Sequence, residues 1–251
     1  MLNAVGIIPA RYASTRLPGK PLTDLGGKTM IQRVVEQARQ AQLSRVVVAT
    51  DDERILDHVR GFGGEALLTS PDHPSGTDRV FDAYCQLDAP ADCIINIQGD
   101  EPFIQPEQIN ALVRLFEADP RTQLATLVKP VETQEELLSP HMPKVVLDAR
   151  GQALYFSRHP LPYLRQAPPD QWLRQHRYLR HIGLYAYRPD ILAEITQLPP
   201  SPLELAESLE QLRWLENGYH ILTAETTVAT LGIDTPEDVE RALQVLAGQA
   251  R

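Results

Sequence analysis

Three cationic side chains follow the first apolar segment of the chain and have the chemistry to bind phosphate. Residues 5–9 are apolar and predict a buried strand, and Arg11, Arg16 and Lys20 lie in the loop that comes next. Gly19 gives that loop a tight turn beside the lysine. A guanidinium matches phosphate oxygens in pairs, and a lysine adds a point charge. Open α/β sheets bind ligands at the carboxyl ends of their strands, so the segment predicts a phosphate-binding loop. The alternative is a surface loop of solvated cations.

A carboxylate follows a second apolar run in the same way. The β-branched run at residues 94–97 predicts a central buried strand, and Gln98, Gly99 and Asp100 come directly after it. Mg²⁺ prefers one or two carboxylates together with phosphate oxygens and waters, so Asp100 is a candidate metal ligand. The alternative is that Asp100 caps the next helix. Prolines at 102 and 106 separate it from that helix, which is predicted to begin near Glu107.

These side chains can meet only if an open sheet brings the loops to one edge. The first half alternates predicted strands (residues 5–9, 45–49, 66–68, 93–98 and 124–128) with predicted helices (29–40, 52–61, 77–86 and 107–117). This alternation predicts an α/β fold, a mostly parallel sheet with helices on both faces. Gly27-Lys28-Thr29 is not a P-loop, because Leu22 stands where the earlier glycine is required.

The second half has a different pattern. Residues 144–148 and 151–156 predict a hairpin, and the proline-rich residues 158–172 predict an extended loop. A strand is predicted at 178–187, helices at 189–197 and 204–217, and a short strand at 220–225. Thr235 is predicted to cap the last helix, with Pro236 in its first turn.

Composition excludes several classes of protein. The chain has 251 residues, 43% of them apolar, and a formal net charge of −9. The acidic balance argues against binding to nucleic acid or to an anionic membrane. Cys85 and Cys93 have neither a disulfide-framework nor a zinc-site spacing. Because neither a signal peptide nor a long apolar run is found, we expect a cytoplasmic protein without membrane contact.

Further motifs, spread in order along nearly the whole chain, resemble those of a known family. They are Ser75-Gly-Thr-Asp-Arg79, Lys144-Val-Val-Leu-Asp148, Ala153-Leu-Tyr-Phe-Ser-Arg158, Leu179-Arg-His-Ile-Gly-Leu-Tyr185, Pro202-Leu-Glu204, Leu209-Glu-Gln-Leu-Arg213 and Gly232-Ile-Asp-Thr-Pro-Glu-Asp238. Together with the two strand-end motifs, they resemble the 3-deoxy-manno-octulosonate cytidylyltransferases, also called CMP-Kdo synthetases. The resemblance implies a single nucleotidyltransferase-type, Rossmann-like α/β domain over residues 1–251 with a smaller β-rich lobe. Residues 1–130 would mainly bind CTP, 131–225 would mainly bind sugar and form a homodimer, and 226–251 would return to the core.

The family reaction joins CTP to the sugar acid Kdo and releases pyrophosphate, with Mg²⁺ as cofactor. By resemblance, the product enters lipopolysaccharide or another surface glycan. The alternatives are a cytidylyltransferase for a related acidic sugar, 8-amino-Kdo or sialic acid, and a catalytically inactive nucleotide-binding module. The presence of Lys20, Asp100 and Asp234 argues against the inactive module.

The resemblance also assigns nucleotide and metal residues. Asp100 and Asp234 would hold two magnesium ions, the alternative for Asp234 being a helix-start residue. Arg11, Arg16 and Lys20 would hold the phosphates, and Lys20 is the strongest candidate for a transition-state role. The predicted catalytic set is therefore Lys20, Arg11, Asp100 and Asp234. The cytosine base would be read near residues of three loops: Pro9, Ala10, Arg11, Ser75, Gly76 and Gln98. Arg79 is either a nucleotide contact or a partner of Asp100 or Glu101.

The predicted sugar-binding residues lie in the second half and each has a structural alternative. They are Arg158, His181, Tyr185, Glu204 and Gln211. His181 is alternatively a structural histidine, Tyr185 a core residue and Glu204 the start of its helix. The aromatic residues Trp172, Tyr178 and Trp214 are either anchors of the expected homodimer or core residues.

Overall fold

A computed structural model of the chain describes residues 2–13 and 16–249. The chain divides into two compact units. The first unit is Met1–Val113 together with Thr230–Arg251, and the second is Arg114–Ala229. The second unit is therefore an insertion in the sequence of the first.

The first unit begins with alternating strands and helices, as the sequence predicted. The strands are β1 (Ala4–Ala10), β2 (Arg45–Thr50), β3 (Glu65–Leu68) and β4 (Cys93–Asn96). The helices are α1 (Met30–Ala38), α2 (Glu53–Gly61), α3 (Gly76–Cys85) and α4 (Pro106–Ala118), with the unit boundary inside α4. A short 3₁₀ turn, Lys20–Leu22, was not predicted.

All strand pairs in this unit are parallel, in the order β3-β2-β1-β4. Crossovers between parallel strands are right-handed. The connections β1-α1-β2 and β2-α2-β3 move one way along the sheet, whereas β3-α3-β4 moves the other way. Helices α1 and α2 therefore cover one face and α3 covers the opposite face. The order reverses between β1 and β4, and the crevice at the carboxyl ends of such a strand pair is where ligands bind.

The second unit has a mixed sheet. Its strands are β5 (Leu124–Pro130), β6 (Lys144–Leu147), β7 (Ala153–Ser157), β8 (Leu179–Tyr187) and β9 (Ile221–Glu225). Strand β8 is antiparallel to both β5 and β6, and β9 is parallel to β5. The antiparallel β6–β7 pair confirms the predicted hairpin. The helices are α5 (Gln134–Leu138), α6 (Trp172–Gln175), α7 (Pro189–Ile195), α8 (Pro202–Glu207) and α9 (Gln211–Glu216).

The prediction of one helix over residues 204–217 is wrong. Helix α8 stops at Ser208, which has the left-handed values φ 51° and ψ 50°, and α9 starts again at Gln211. The Arg158 guanidinium donates hydrogen bonds to the carbonyls of Glu207 and Ser208, at 2.6 and 3.0 Å. Carbonyls at a helix end need such donors, so a contact distant in sequence stabilises the break.

Aromatic residues form much of the interior of the second unit. Trp172, Tyr178 and Trp214 are at most 3% exposed. Trp172 and Tyr178 pack with Val131 and Leu137 in one cluster. These three aromatic side chains are therefore core residues, and the alternative that they anchor a homodimer is wrong.

The chain returns to the first unit with helix α10 (Pro236–Gln249). Ile233 and Ala242 of this segment pack with Leu25 and Met30 in a buried cluster. The Asp238 backbone N–H donates to Thr235 Oγ1 at 3.3 Å, which confirms Thr235 as the cap of this helix. Among the described residues, no helix combines the length and the apolar character that a bilayer span needs.

Candidate active site

A cavity of about 550 Å³ lies in the first unit, where the carboxyl ends of β1 and β4 meet. It is lined by residues of four segments: Pro9, Ala10, Arg11, Ala13, Arg16, Lys20, Pro21, His73, Pro74, Ser75, Gly76, Arg79, Gln98, Gly99, Asp100 and Asp234. The topology therefore brings together all the predicted nucleotide-binding, catalytic and metal residues. Ser14 and Thr15 of the same loop lie outside the described residues.

Two carboxylates in this cavity converge on one lysine. Lys20 Nζ donates to Asp100 Oδ2 at 2.6 Å and to Asp234 Oδ1 at 2.9 Å. Arg16 Nη2 lies 3.1 Å from the second oxygen of Asp234. The Lys20 side chain is 17% exposed, against 32% for Asp100 and 46% for Asp234. The group is thus partly shielded from water, with its open side toward solvent.

Electrostatics keep this lysine charged. Burial alone would lower the pKa of Lys20, but the carboxylates of Asp100 and Asp234 outweigh it and raise the pKa above the usual lysine value. Lys20 is therefore a permanent cation at neutral pH. It compensates two negative charges held close together.

Backbone contacts explain how these distant residues meet. The Ile233 N–H donates to the Asp100 carbonyl at 3.0 Å, so the returning chain lies beside the loop after β4. The Asp238 carboxylate accepts from the Asp234 backbone N–H at 3.0 Å. Asp234 thus points its own carboxylate at Lys20 while Asp238 and Thr235 serve the helix start. The carboxylate of Asp100 likewise contacts Lys20, and Asp100 lies six residues before Pro106, where α4 begins, which argues against the capping alternative.

Two glycines and the start of α3 shape the backbone around the predicted base-binding residues. A Cβ atom on Gly99 would stand 2.7 Å from the Pro9 carbonyl oxygen, so only glycine allows this approach of the two loops. A Cβ on Gly76 would stand 3.5 Å from Pro9 Cγ. Ser75 caps α3 by accepting from the Asp78 N–H at 3.2 Å. These contacts fix the backbone that surrounds the cavity near Pro9.

Arg79 does not pair with Asp100 or Glu101, so that part of the prediction is wrong. Its guanidinium donates to Asp51 Oδ2 at 2.9 Å and to Thr69 Oγ1 at 2.7 Å. Asp51 follows β2, and helix α3, which carries Arg79, packs against β1 and β2. Arg79 is 4% exposed and lines the cavity, so its place as a nucleotide contact stays a prediction.

His73 lines the cavity and was missed from the sequence. Its Nε2 lies 2.6 Å from Asp82 Oδ2, and Asp82 also accepts from the Ser70 N–H at 3.0 Å. The signal available was its position two residues before Ser75 of the quoted motif. Its partner could not be foreseen, because Asp82 is on the far part of α3.

Two of the predicted sugar-binding residues, His181 and Tyr185, pack together in the second unit. The His181 and Tyr185 rings have centroids 5.2 Å apart, and Tyr185 packs edge-on to Trp214 at 5.1 Å. Tyr185 Oη and Gln211 Nε2 are buried, and neither has a hydrogen-bond partner among the described residues. Unpartnered buried polar atoms are costly, and a polar ligand group would satisfy each of them.

Burial sets the ionisation of this cluster. It lowers the pKa of His181 to about 3 and raises the pKa of Tyr185 well above its usual value. His181 Nε2 lies 2.9 Å from Thr126 Oγ1, so the histidine is a neutral hydrogen-bonding group, as its structural alternative also requires.

Arg158 and Glu204 are occupied within the second unit. The three guanidinium contacts of Arg158 go to the carbonyls of Pro140, Glu207 and Ser208. Glu204 forms a capping box with Ser201 and a two-point ion pair with Arg213. Burial alone would raise the pKa of Glu204, but the Arg213 guanidinium outweighs it and lowers the pKa. This is the helix-start role given as the alternative for Glu204.

The donor set of the cavity fits Mg²⁺. Asp100 and Asp234 each place one oxygen within 2.9 Å of the same ammonium nitrogen, so the two carboxylates converge on one cation position. Two carboxylates with room for phosphate oxygens and waters are the set this ion prefers.

Comparisons with known proteins agree with this geometry. The family described as cytidylyltransferase matches residues 5–226. A 3-deoxy-manno-octulosonate cytidylyltransferase of Cytophaga hutchinsonii is 60% identical over 242 residues, 96% of each chain. One of Parabacteroides distasonis is 56% identical over 99% of this chain and 100% of its own.

Solved structures extend the comparison. A CMP:2-keto-3-deoxy-manno-octonic acid synthetase complexed with CTP is 46% identical, covers 98% of this chain and 99% of its own, and has a TM-score of 0.92. A glucose-1-phosphate thymidylyltransferase of Bacillus anthracis, 18% identical over 96% of this chain and 94% of its own with a TM-score of 0.66, shares the fold alone. Its relatives match along nearly the full length of the chain, and its cavity lies at the carboxyl ends of β1 and β4, where the strand order reverses. The chain therefore belongs to the family of 3-deoxy-manno-octulosonate cytidylyltransferases.

Proposed function

We propose that this protein joins CTP to 3-deoxy-D-manno-octulosonate, forming CMP-Kdo and pyrophosphate. Relatives of 56–60% identity carry the name of this activity, and the 46% identical neighbour is complexed with CTP. One observation in the chain itself carries the proposal: Lys20, Asp100 and Asp234 converge in the cavity at the carboxyl ends of β1 and β4.

The reaction is a direct displacement at phosphorus. The anomeric hydroxyl oxygen of the sugar acid forms a bond to the α-phosphorus of CTP, the bond from that phosphorus to the oxygen bridging to the β-phosphate breaks, and the hydroxyl proton passes to solvent water. Charge then accumulates on the departing pyrophosphate. Arg11, Arg16 and Lys20 would neutralise it. Lys20 is held by Asp100 and Asp234 before substrate arrives, so little reorganisation of this residue is needed.

Asp100 and Asp234 would hold Mg²⁺. The ion supplies, when bound, charge neutralisation for the triphosphate and a lower pKa for the attacking hydroxyl. Lys20 donates a hydrogen bond to each of these carboxylates. The lysine is thereby kept charged and within reach of a phosphate oxygen at the same place.

The sugar acid would be bound by the second unit. Tyr185 Oη and Gln211 Nε2 are buried donors whose hydrogen bonds a sugar hydroxyl can complete. His181, neutral at physiological pH, adds a further donor or acceptor. Arg158 and Glu204 support the proposal less, because their polar atoms are already engaged.

Pyrophosphate release tests the function. Purified protein with Mg²⁺ is given CTP, UTP or ATP in combination with Kdo, 8-amino-Kdo or sialic acid. Release with CTP and Kdo alone is expected. Release only with CTP and another acid would assign that acid as the substrate in place of Kdo. No release with any pair would favour an inactive nucleotide-binding module.

A matched pair of variants tests the metal residues. Asp100→Asn is expected to lower the rate by on the order of 10³-fold or more, because a carboxylate ligand is lost. Asp119→Asn changes a surface carboxylate paired with Arg121 and should leave the rate unchanged. A normal rate for Asp100→Asn would contradict its role as metal ligand.

We further propose a homodimer formed through the second unit, located in the cytoplasm, with the product used for lipopolysaccharide. The dimer is supported by apolar side chains on the unit's surface: Leu154, Tyr163 and Leu205 are 60%, 70% and 69% exposed. Sedimentation at micromolar concentration tests it, and Leu205→Glu is expected to shift the protein toward monomer. A wild type that sediments only as monomer would refute it.

A further inference from the structure

A tyrosine lies within the loop that carries the three predicted phosphate-binding cations. Tyr12 follows Arg11, and its carbonyl accepts from the Gly19 N–H at 3.2 Å, which joins the start of the loop to its end. Gly19 directly precedes Lys20. The position of Tyr12 is thus linked by one hydrogen bond to the residue before the lysine.

The tyrosine ring also packs against Gly19. A Cβ atom on this glycine would stand 3.2 Å from both Cζ and Oη of Tyr12. Gly19 has φ 69°, a left-handed conformation that favours glycine, and it caps the 3₁₀ turn that Lys20 begins. The ring and the glycine therefore fit closely where the loop turns into Lys20.

A guanidinium lies over the face of the tyrosine ring. The Arg54 Cζ atom lies 3.4 Å from the Tyr12 ring centroid, a cation–π contact. Arg54 is itself fixed, since its Nε and Nη2 donate to the two oxygens of Asp52 at 2.9 and 2.6 Å. Asp52 caps helix α2. A continuous set of contacts therefore connects α2 to the residue before Lys20.

Arg54 does not act as a direct phosphate ligand in this arrangement. Of the described residues, Arg11, Arg16 and Lys20 line the cavity, whereas Arg54 does not. Its charge is matched by Asp52 in a bidentate pair. What Arg54 adds to the site is the location of the ring that supports the loop.

An ordinary ion pair between residues two positions apart would look similar without this function. Arg121 provides that comparison, because its Nε and Nη2 donate to Asp119 at 3.0 and 2.9 Å across the same two-residue spacing. Among the described residues, a cation–π contact is formed by Arg54 and not by Arg121. The two arginines differ in the ring contact.

From these contacts we propose that Tyr12 and Arg54 are positioning residues that hold the cationic loop in the conformation that receives the triphosphate of CTP. The proposal rests on the proposed function, since it concerns the same nucleotide. It predicts that loosening the Arg54–Tyr12 contact weakens CTP binding and leaves the KM for the sugar acid unchanged.

The test is a double-mutant cycle on CTP affinity. Calorimetry with Mg²⁺ and CTP is run on the wild type, Arg54→Ala, Tyr12→Leu and the double variant. Each single change is expected to weaken CTP binding about two- to five-fold, the range of an exposed cation–π contact, and the double change no more than the larger single one. Tyr12→Phe keeps the ring and should bind CTP like the wild type. Arg121→Ala is the matched control and should change nothing.

The outcomes separate the inference from the function. Equal CTP affinity for Arg54→Ala and Arg121→Ala, or effects that add in the double variant, would overturn the positioning role. A KM for the sugar acid that rises together with the KM for CTP would also overturn it, because general destabilisation then explains the effect. A wild type that binds no CTP would overturn the proposed function and this inference with it.

Discussion

Replacing Lys20 with methionine removes the charge that two carboxylates share while keeping a side chain of similar length. Asp100 and Asp234 would lose contacts of 2.6 and 2.9 Å, and among the described residues Asp234 would keep its contact with Arg16 at 3.1 Å. Two negative charges would then face each other across the site. The variant should therefore be less stable in the absence of metal and nucleotide.

The exposure of the three groups sets the size of the effect. Exposed ion pairs contribute about 0.2–1 kcal/mol, whereas breaking a buried pair costs about 3–5 kcal/mol. The side chains of Lys20, Asp100 and Asp234 are 17%, 32% and 46% exposed, between these limits. A loss of about 2 kcal/mol follows, or a fall of about 4–8 °C in the melting temperature for a chain of this size.

Thermal unfolding in EDTA measures the loss. The raised pKa of Lys20 means that its contribution is complete at every pH below the pKa of a free lysine and disappears only above the raised value. The comparison near pH 7 is therefore made with the lysine fully charged. Lys28→Met is the matched control, because Lys28 pairs with the single exposed carboxylate of Glu36.

Added Mg²⁺ provides the second arm of the assay. The ion is expected to raise the melting temperature of Lys20→Met more than that of the wild type, since both carboxylates are then free of the lysine. Equal falls for Lys20→Met and Lys28→Met would refute the reasoning about the shared charge. An equal response of wild type and Lys20→Met to Mg²⁺ would refute the shared position of lysine and metal.

Three further predictions concern single side chains. Burial lowers the pKa of His181 from 6.5 to about 3. As the pH falls, His181 therefore takes up a proton in the unfolded chain before it does so in the folded protein. The free energy of unfolding should drop by up to about 1.4 kcal/mol per pH unit below about pH 6.5. Urea unfolding should show this part of the slope missing in His181→Gln, and an unchanged slope would contradict it. Gly99→Ala puts a Cβ 2.7 Å from the Pro9 carbonyl and should cost about 1–3 kcal/mol of stability and weaken CTP binding, whereas Gly61→Ala, with open space around it, should not. Tyr185→Phe removes a buried unpartnered hydroxyl and should raise stability by about 1 kcal/mol while lowering kcat/KM for Kdo about ten-fold; unchanged kcat/KM would make Tyr185 a core residue only.

The parts of the site next to buried strands were predictable from the sequence. Arg11 and Lys20 follow β1, and Asp100 follows β4, and parallel strands bring such loops to one edge. The lysine–aspartate contacts themselves were not predictable. They join residues 80 and 214 positions apart, and only the packed arrangement of the returning chain puts Asp234 beside Asp100.

Local patterns failed where a distant side chain decides the structure. Residues 204–217 have helical character throughout, yet Arg158 binds the carbonyls at Glu207 and Ser208 and the helix breaks there. Arg79 has Asp51 as its partner because α3 packs against β1 and β2, an arrangement that no local pattern states. Strand and helix identity follow from periodicity, whereas these contacts depend on the order of strands in space.

The insertion of the second unit into the first has a consequence for synthesis on the ribosome. Leu25 and Met30 are made early, but Ile233 and Ala242, which complete their cluster, come after the whole second unit. At about 5–20 residues per second, the wait is on the order of ten seconds. During that time the second unit is able to fold while the first exposes an unfinished apolar surface. Chaperone capture should therefore be greatest while synthesis proceeds from residue 114 to residue 230.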